Sequence, residues 1–167
     1  MENNKKNIHT ISLLVANKPG VLVRVTSAFA RRGYNIDALV VSPSFDPNYS
    51  TMTITAQGDP ATLDQIMKQT VKLVDVIHCN EHTGEDAVHQ ELALIKIKNV
   101  PANKPVITDL VNKFAAKIIT EDENIVIIAC AGTTLQLDEF ETVMKKYGMI
   151  EVVRSGKLVM TKSKSST

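Results

Sequence analysis

Histidine, cysteine and acidic side chains are the residues of this 167-residue sequence that could form a metal site. Three of the four histidines lie in the polar stretch 78–89, where His78, Cys79, Glu81 and His82 are all of ligand type. His78 and Cys79 are neighbours at the end of a predicted strand, so their side chains should point to opposite faces. The spacing therefore favours a solvated linker over a metal centre.

Catalytic motifs are the next possibility. The sequence contains no G-x-S-x-G nucleophile motif, no P-loop and no glycine pattern for dinucleotide binding. No pair of aspartates or glutamates has a spacing that by itself assigns acid–base chemistry. We therefore expect neither catalytic residues nor a metal site in this chain.

The turn from Ala16 to Gly20 is the most informative element for binding. Pro19 stiffens the turn, and Gly20 lacks a Cβ, so backbone amides at the start of the next helix can approach another molecule. Helix starts of this kind bind anions, including carboxylates. The turn suggests a pocket for a small carboxylate ligand, with the Asn17 amide bonding its carboxylate or ammonium. A plain strand-to-helix turn, in which Gly20 only satisfies backbone geometry, stays open as the alternative.

Hydrophobic periodicity predicts the elements around this turn. An alternating strand precedes it, and a helical pattern follows from Val21 to Arg32, where Gly33 stops it. The remaining elements of the first half are a hairpin with strands from Tyr34 and at 51–57, a helix capped by Asp59 with Pro60 at its first position, and a strand at 72–77. The order is that of the ferredoxin-like fold, a four-stranded antiparallel sheet with two helices on one face.

The second half of the chain repeats the first. A shift of 85 positions aligns the apolar face of one helix, with these pairs: Val21 and Val106, Leu22 and Ile107, Val25 and Leu110, Phe29 and Phe114, Ala30 and Ala115. Strands are predicted near 91–98, 117–122, 125–131 and 149–160, and helices near 105–116 and 135–147. We therefore predict an α+β protein of two tandem ferredoxin-like domains, at 8–82 and 91–162, joined by a linker at 83–90.

Two features distinguish the halves. The second copy keeps the apolar skeleton but loses Gly20 and Asn35, which indicates that the first copy has a task that the second lacks. The strand at 125–131 is apolar at every position, so its sheet is expected to be covered on both faces, and a partner subunit could be the second cover.

Composition narrows the class of protein. The net charge is +1 and only 4% of residues are aromatic, which disfavours nucleic acid as a partner. Cys79 and Cys130 are predicted to be free thiols in a reducing compartment. The sequence shows neither a signal-peptide pattern nor a membrane-spanning apolar run, so we expect a cytoplasmic protein.

Five segments carry a family resemblance: LLVANKPGVLVRV, FARRGYNIDALVVSP, STMTITAQGD, LVDVIH and EVVRSG. Together they resemble the small regulatory subunits of acetolactate synthase, in which an ACT domain precedes a second, ACT-like domain. The resemblance covers roughly residues 8–160, and RRGYNI after the N-x-P-G turn is its most specific part. The sequence departs from the usual pattern at Ala16, where an acidic residue is common, and at Val23, where a small polar residue is common.

The resemblance implies a non-catalytic subunit that stimulates the catalytic subunit and confers feedback inhibition by valine in branched-chain amino-acid biosynthesis. Thiamine diphosphate, magnesium and FAD would be held by the catalytic partner, a thiamine-diphosphate-dependent transferase, and none by this chain. The ACT domains would form a homodimer with the effector at its interface, where the turn of one chain faces the other chain. The residues implied are Asn17, Lys18, Pro19, Gly20 and Val21 of one chain and Asn35 and Ile36 of the other.

The alternative function is a free-standing ACT-domain sensor of amino acids that acts on a different partner. Such a sensor would share the same turn. Stimulation of an acetolactate synthase catalytic chain on mixing separates the two hypotheses.

Overall fold

The computed structural model describes residues 8–82 and 85–164. The chain divides into two compact units, one formed by residues 1–89 together with 157–167 and the other by residues 90–156. Thr83 and Gly84, which belong to the predicted linker, lie outside the described residues. None of the helices in the described part is both long and apolar enough to cross a membrane.

The first unit has the predicted order of elements. They are β1 (Ile8–Ala16), α1 (Val21–Ala30), β2 (Ile36–Pro43), β3 (Tyr49–Gln57), α2 (Pro60–Thr70) and β4 (Val76–His82). The strands pair antiparallel in the sheet order β2-β3-β1-β4. This is the ferredoxin-like topology, so the predicted fold class is confirmed.

The core of the first unit lies between one face of the sheet and the two helices. Its fully buried members come from the sheet and from both helices, and include Ile11, Leu13, Ile54, Phe29, Leu63 and Ile66. Burial of each such side chain stabilises the fold by about 1.5–3 kcal/mol relative to exposure. Asp59 caps α2 as predicted, because its carboxylate accepts a hydrogen bond from the Thr62 amide at 2.8 Å.

The predicted strand at 72–77 is wrong in position. After α2 the chain continues in tight turns, since the amides of Val71, Lys72 and Leu73 bond back to Met67, Gln69 and Thr70. The strand begins only at Val76 and runs to His82, paired with β1. Local turn hydrogen bonds thus override the apolar pattern, and His78–His82 belong to a strand rather than to the hinge. The first helix also ends earlier than predicted, at Ala30.

The second sheet and its helices repeat this architecture. The elements are β5 (Ala87–Lys98), α3 (Lys104–Lys113), β6 (Lys117–Glu121), β7 (Ile125–Gly132), α4 (Thr134–Met144), β8 (Met149–Arg154) and β9 (Leu158–Thr161), with single 3₁₀ turns at Pro101–Asn103 and Lys145–Tyr147. The order is β6-β7-β5-β8, and β9 also pairs with β5. The largest buried side chains of this core are Ile95, Ile97, Ile128, Leu137 and Phe140. Tandem ferredoxin-like domains are therefore present.

The predicted strand at 149–160 is two strands. Gly156, with φ 79°, lies between β8 and β9. Residues 157–167 group with the first unit, and the Lys162 amide donates to the Asp86 carbonyl at 2.9 Å. The predicted domain limits at 8–82 and 91–162 stay a prediction.

Only one face of β7 is buried within the chain. Val126, Ile128 and Cys130 lie in the core, whereas Ile127 and Ala129 on the other face are half-buried. Complete coverage of both faces is therefore not present in the chain itself. A partner subunit as the second cover stays a prediction.

Candidate functional site

Asn17 fixes the turn between β1 and α1 to the loop between β2 and β3. Its backbone amide donates to the Asn48 carbonyl at 2.8 Å, and its side-chain Nδ2 donates to the Pro47 carbonyl at 3.0 Å. The Asn17 amide nitrogen therefore has a protein partner. The side-chain oxygen Oδ1 is the atom that suits a ligand, and as an acceptor it matches an ammonium group.

Gly20 shapes the start of α1. It is the residue immediately before the helix, with φ 83°, a left-handed conformation that glycine adopts without a steric penalty. No side chain caps this helix start, and its first turn contains no acidic residue. The turn from Asn17 to Gly20 is exposed. An uncapped, exposed helix start can accept an external anion.

Val21 and Lys18 take different positions at this turn. Val21 is 3% exposed and packs in the core, so its side chain cannot contact a ligand and only its backbone is available. Lys18 is exposed beside Pro19 and its backbone is held in the turn. Of the five predicted turn residues, four are thus exposed, and only the backbone of the fifth, Val21, could contact a ligand.

Asn35 and Ile36 lie at the other end of the first sheet. Ile36 pairs with Ala56, whereas Pro43, at the end of β2, pairs with Ser50. Ser50 also pairs with Val15, just before the turn. Six residues of extended strand separate the two levels, about 20 Å at 3.4 Å per residue. One chain alone does not bring Asn35 and Ile36 to the Asn17–Gly20 turn.

An arginine that the sequence analysis did not identify lies over this turn. Nη1 of Arg24 is 3.2 Å from the position that a Cβ on Gly20 would occupy. Nη2 of the same side chain donates to Oδ2 of Asp75 at 2.6 Å. The helical spacing between Gly20 and Arg24 is a sequence signal for their proximity. Asp75 is 51 residues from Arg24 in the sequence, and no sequence pattern indicates that the two are in contact.

The second unit has different residues at the corresponding turn. There Asn103 precedes α3 and Lys104 forms an ion pair with Glu121 at 2.8 Å. Nδ2 of the Asn99 side chain donates to the Asp122 carbonyl. The second unit thus carries a lysine–glutamate ion pair near the start of α3, where the first unit has the Gly20 turn.

The possible metal ligands on β4 are directed to separate partners. Cys79 packs against the first core, and His78 is exposed. Glu81 lies 2.6 Å from His9, and His82 bonds to Ser12. Over residues 8–82 and 85–164, no three His, Cys, Asp or Glu side chains are grouped as metal ligands.

Ser12, His82 and Asp86 form a hydrogen-bonded chain that the sequence analysis missed. Ser12 Oγ lies 2.6 Å from His82 Nε2, and His82 Nδ1 lies 2.9 Å from Asp86 Oδ2. The order of groups is that of a hydrolytic triad. However, Ser12 is 4% and His82 8% exposed, which is the environment of a structural hydrogen bond rather than of a nucleophile that meets a substrate.

The two cysteines are free thiols, as predicted. Burial raises the pKa of Cys79 to about 11, and burial also raises the pKa of Cys130. Both thiols are therefore protonated and weakly reactive at neutral pH.

Comparison with known proteins gives consistent results over both units. The model of the "AHAS small subunit-like ACT domain" matches residues 11–78, and that of the "small subunit of acetolactate synthase" matches residues 90–163. A probable acetolactate synthase small subunit of Archaeoglobus fulgidus is 39% identical over 154 residues, covering 92% of this chain and 96% of that protein. The acetolactate synthase small subunit of Mycolicibacterium smegmatis is 38% identical, covering 92% and 91%.

A solved structure agrees with these relatives. The crystal structure of the acetolactate synthase small subunit from Thermotoga maritima superposes with a TM-score of 0.85 at 35% identity. The match covers 95% of this chain and 99% of that one. Sequence and fold thus point to the same group of proteins along nearly the whole chain.

Proposed function

Because the chain belongs to the family of acetolactate synthase small subunits, we propose that it binds and stimulates the catalytic subunit and makes that subunit sensitive to feedback inhibition by valine. Thiamine diphosphate, magnesium and FAD are assigned to the catalytic partner.

The exposed turn before α1 is the observation that carries the effector site. Gly20 leaves the helix start without a side-chain cap, and a carboxylate is the natural partner of such a start. Oδ1 of Asn17 offers an acceptor to the ammonium group of the same amino acid. A zwitterion therefore fits the turn better than a simple anion.

The position of β2 supports a site shared by two chains. β2 is an edge strand of its sheet, so its outer backbone groups are available to another strand. If two β2 strands pair antiparallel about a two-fold axis, the start of one lies beside the end of the other. Asn35 and Ile36 of one chain then reach the end of the sheet that carries the Asn17–Gly20 turn of its partner. The pairing brings together the two groups of residues that a single chain keeps apart.

Exposed apolar residues on α1 suit the same dimer. Leu22 is 41% and Val23 66% exposed, directly after the turn. Side chains of this kind are favourable in an interface and can contact the branched side chain of valine. An effector held between two chains then couples its binding to the geometry of the dimer.

Feedback inhibition follows if valine prefers one geometry of the dimer. An effector shifts an equilibrium only by the difference in its affinity for the two states, and such couplings are typically about 1–3 kcal/mol. We infer that valine favours the arrangement whose contacts with the catalytic subunit are less activating.

Gly20→Asp tests the site. The new side chain brings a carboxylate to the position of the effector carboxylate, and its Cβ lies 3.2 Å from Nη1 of Arg24. The variant is mixed with the catalytic subunit, and acetolactate formation is measured with and without valine. We expect stimulation to remain and inhibition by valine to disappear.

Gly148→Asp is the matched control, because Gly148 also has a positive φ, 76°, but lies in the second unit. It should retain both stimulation and inhibition. Unchanged valine inhibition in Gly20→Asp would contradict the assignment of the site. A wild-type chain that fails to stimulate the catalytic subunit would contradict the proposed function and favour a free-standing sensor.

A further inference from the structure

We propose that the guanidinium group of Arg24 binds the carboxylate of the effector and that Asp75 positions it, an inference that rests on the effector site proposed above. The sequence analysis placed only the turn residues in this site. Arg24 adds a charged, forked donor to the helix start.

The helix places Arg24 over the turn. Its amide donates to the Gly20 carbonyl at 3.1 Å, so the residue lies one helical turn beyond Gly20. Side chains of α-helices lean toward the N-terminus, and this one leans until Nη1 is 3.2 Å from the Cβ position of Gly20. Because Gly20 has no Cβ, the guanidinium can lie close to the backbone of the turn.

Asp75 holds one side of the guanidinium. Its Oδ2 accepts from Nη2 of Arg24 at 2.6 Å, and its carbonyl accepts from the Ala16 amide at 2.8 Å. Asp75 is therefore anchored to the beginning of the turn itself. Its side chain is 13% exposed and that of Arg24 48%. An ion pair this exposed contributes little to stability, but it fixes the direction in which Nη1 points.

The combined geometry recognises a carboxylate. Arginine presents several N–H donors in one plane, and with Nη2 on Asp75 the Nη1 side remains at the turn. A carboxylate at the helix start would receive hydrogen bonds from backbone amides and from Nη1 together. Such a site would favour an amino acid over an uncharged molecule of the same shape.

Calorimetry with valine tests the role of Arg24 in the full-length chain. Arg24→Gln should weaken valine binding about ten- to a hundredfold, because a charge-assisted hydrogen bond is lost. Arg24→Lys keeps the charge without the planar fork, so it should recover part of the affinity. Arg31→Gln is the control. Arg31 is an exposed arginine that follows the same helix and donates to the Ser27 carbonyl. This variant should bind valine with an affinity within about twofold of the wild type.

A spectroscopic measurement on the wild type does not depend on the folding of any variant. The side-chain Nε–H resonance of Arg24 should shift on saturation with valine and not with isobutylamine, which lacks the carboxylate, while that of Arg31 stays in place. Wild-type affinity in Arg24→Gln, or an Arg24 resonance indifferent to valine, would overturn the inference while leaving the site at Gly20 intact. A wild-type chain that binds no branched-chain amino acid would overturn the site and the role of Arg24 with it.

Discussion

The hydroxyl of Ser12 lies 2.6 Å from Nε2 of His82, inside the first unit. Nδ1 of the same ring lies 2.9 Å from the Asp86 carboxylate, so the His82 ring bridges the Ser12 hydroxyl and a carboxylate. Both groups are buried on the polar face of β1 and β4. The bond therefore satisfies two polar groups that would otherwise be costly to bury.

Ser12→Ala should destabilise the protein by about 1–3 kcal/mol, since it leaves Nε2 of His82 buried without its hydrogen-bond partner. The free energy of unfolding is measured in urea at pH 7.5. Ser42→Ala is the control, because Ser42 is an exposed serine on β2 and its loss should change stability by less than about 0.5 kcal/mol. Equal effects of the two variants would contradict a structural role for the Ser12–His82 bond.

Periodicity was sufficient to predict the fold but not all its boundaries. The alternating apolar residues near Ile11 and the capping residue Asp59 are local signals, and the strand and the cap that they predict are both present in the structure. The start of β4 was mispredicted because the apolar residues near Leu73 are held in turns by backbone hydrogen bonds that leave no trace in hydropathy.

Hydrogen bonds between side chains that are distant in sequence were less predictable. Arg24 and Asp75 are 51 residues apart, and Ser12 and His82 are 70 apart. Each pair depends on strand register and on where a turn ends, which spacing along the chain does not specify. The Asn17–Gly20 turn could be identified from sequence because its residues are consecutive.

Acidification should destabilise the protein through His89. Burial, together with Lys157 and His82, lowers the pKa of His89 below its ordinary value of 6.5. Among the described residues, its Nδ1 is buried without a hydrogen-bond partner. The unfolded chain therefore takes up a proton near pH 6.5 while the folded chain does not, so stability falls as pH decreases below that value.

Urea unfolding at pH 7.5 and 5.5 measures this effect. His89→Gln removes the titration, so the loss of stability on acidification should be smaller than in the wild type. His78→Gln, at an exposed histidine of β4, should leave the loss unchanged. A His89→Gln variant that loses as much stability as the wild type would show that other groups dominate the acid response.

Cys79 should resist alkylation in the folded protein. With a pKa of about 11, only about one thiol in a thousand is ionised at pH 8, and iodoacetamide reacts with the thiolate. Mass spectrometry should show little modification of the native chain and full modification in urea.

A control variant with Cys79→Ser and Asn80→Cys moves the thiol by one residue to an exposed position. That thiol should react rapidly without urea, and a wild-type Cys79 that reacts equally fast would be inconsistent with its burial against the core.

Ala115→Gly should stabilise the second unit. Ala115 follows α3 with φ 50°, a left-handed conformation that costs alanine energy and glycine almost none. The turn is fixed by hydrogen bonds from the amides of Ala115 to Asn112 and of Ala116 to Val111, at 3.1 and 2.8 Å. Since glycine also makes the unfolded chain more flexible, the net gain should be about 0.5–1 kcal/mol.

Ala116→Gly is the matched control: Ala116 has no positive φ and packs against the second core, so this variant should be less stable than the wild type. Urea unfolding that ranks Ala115→Gly at or below Ala116→Gly would mean that the left-handed turn at Ala115 is not a source of strain.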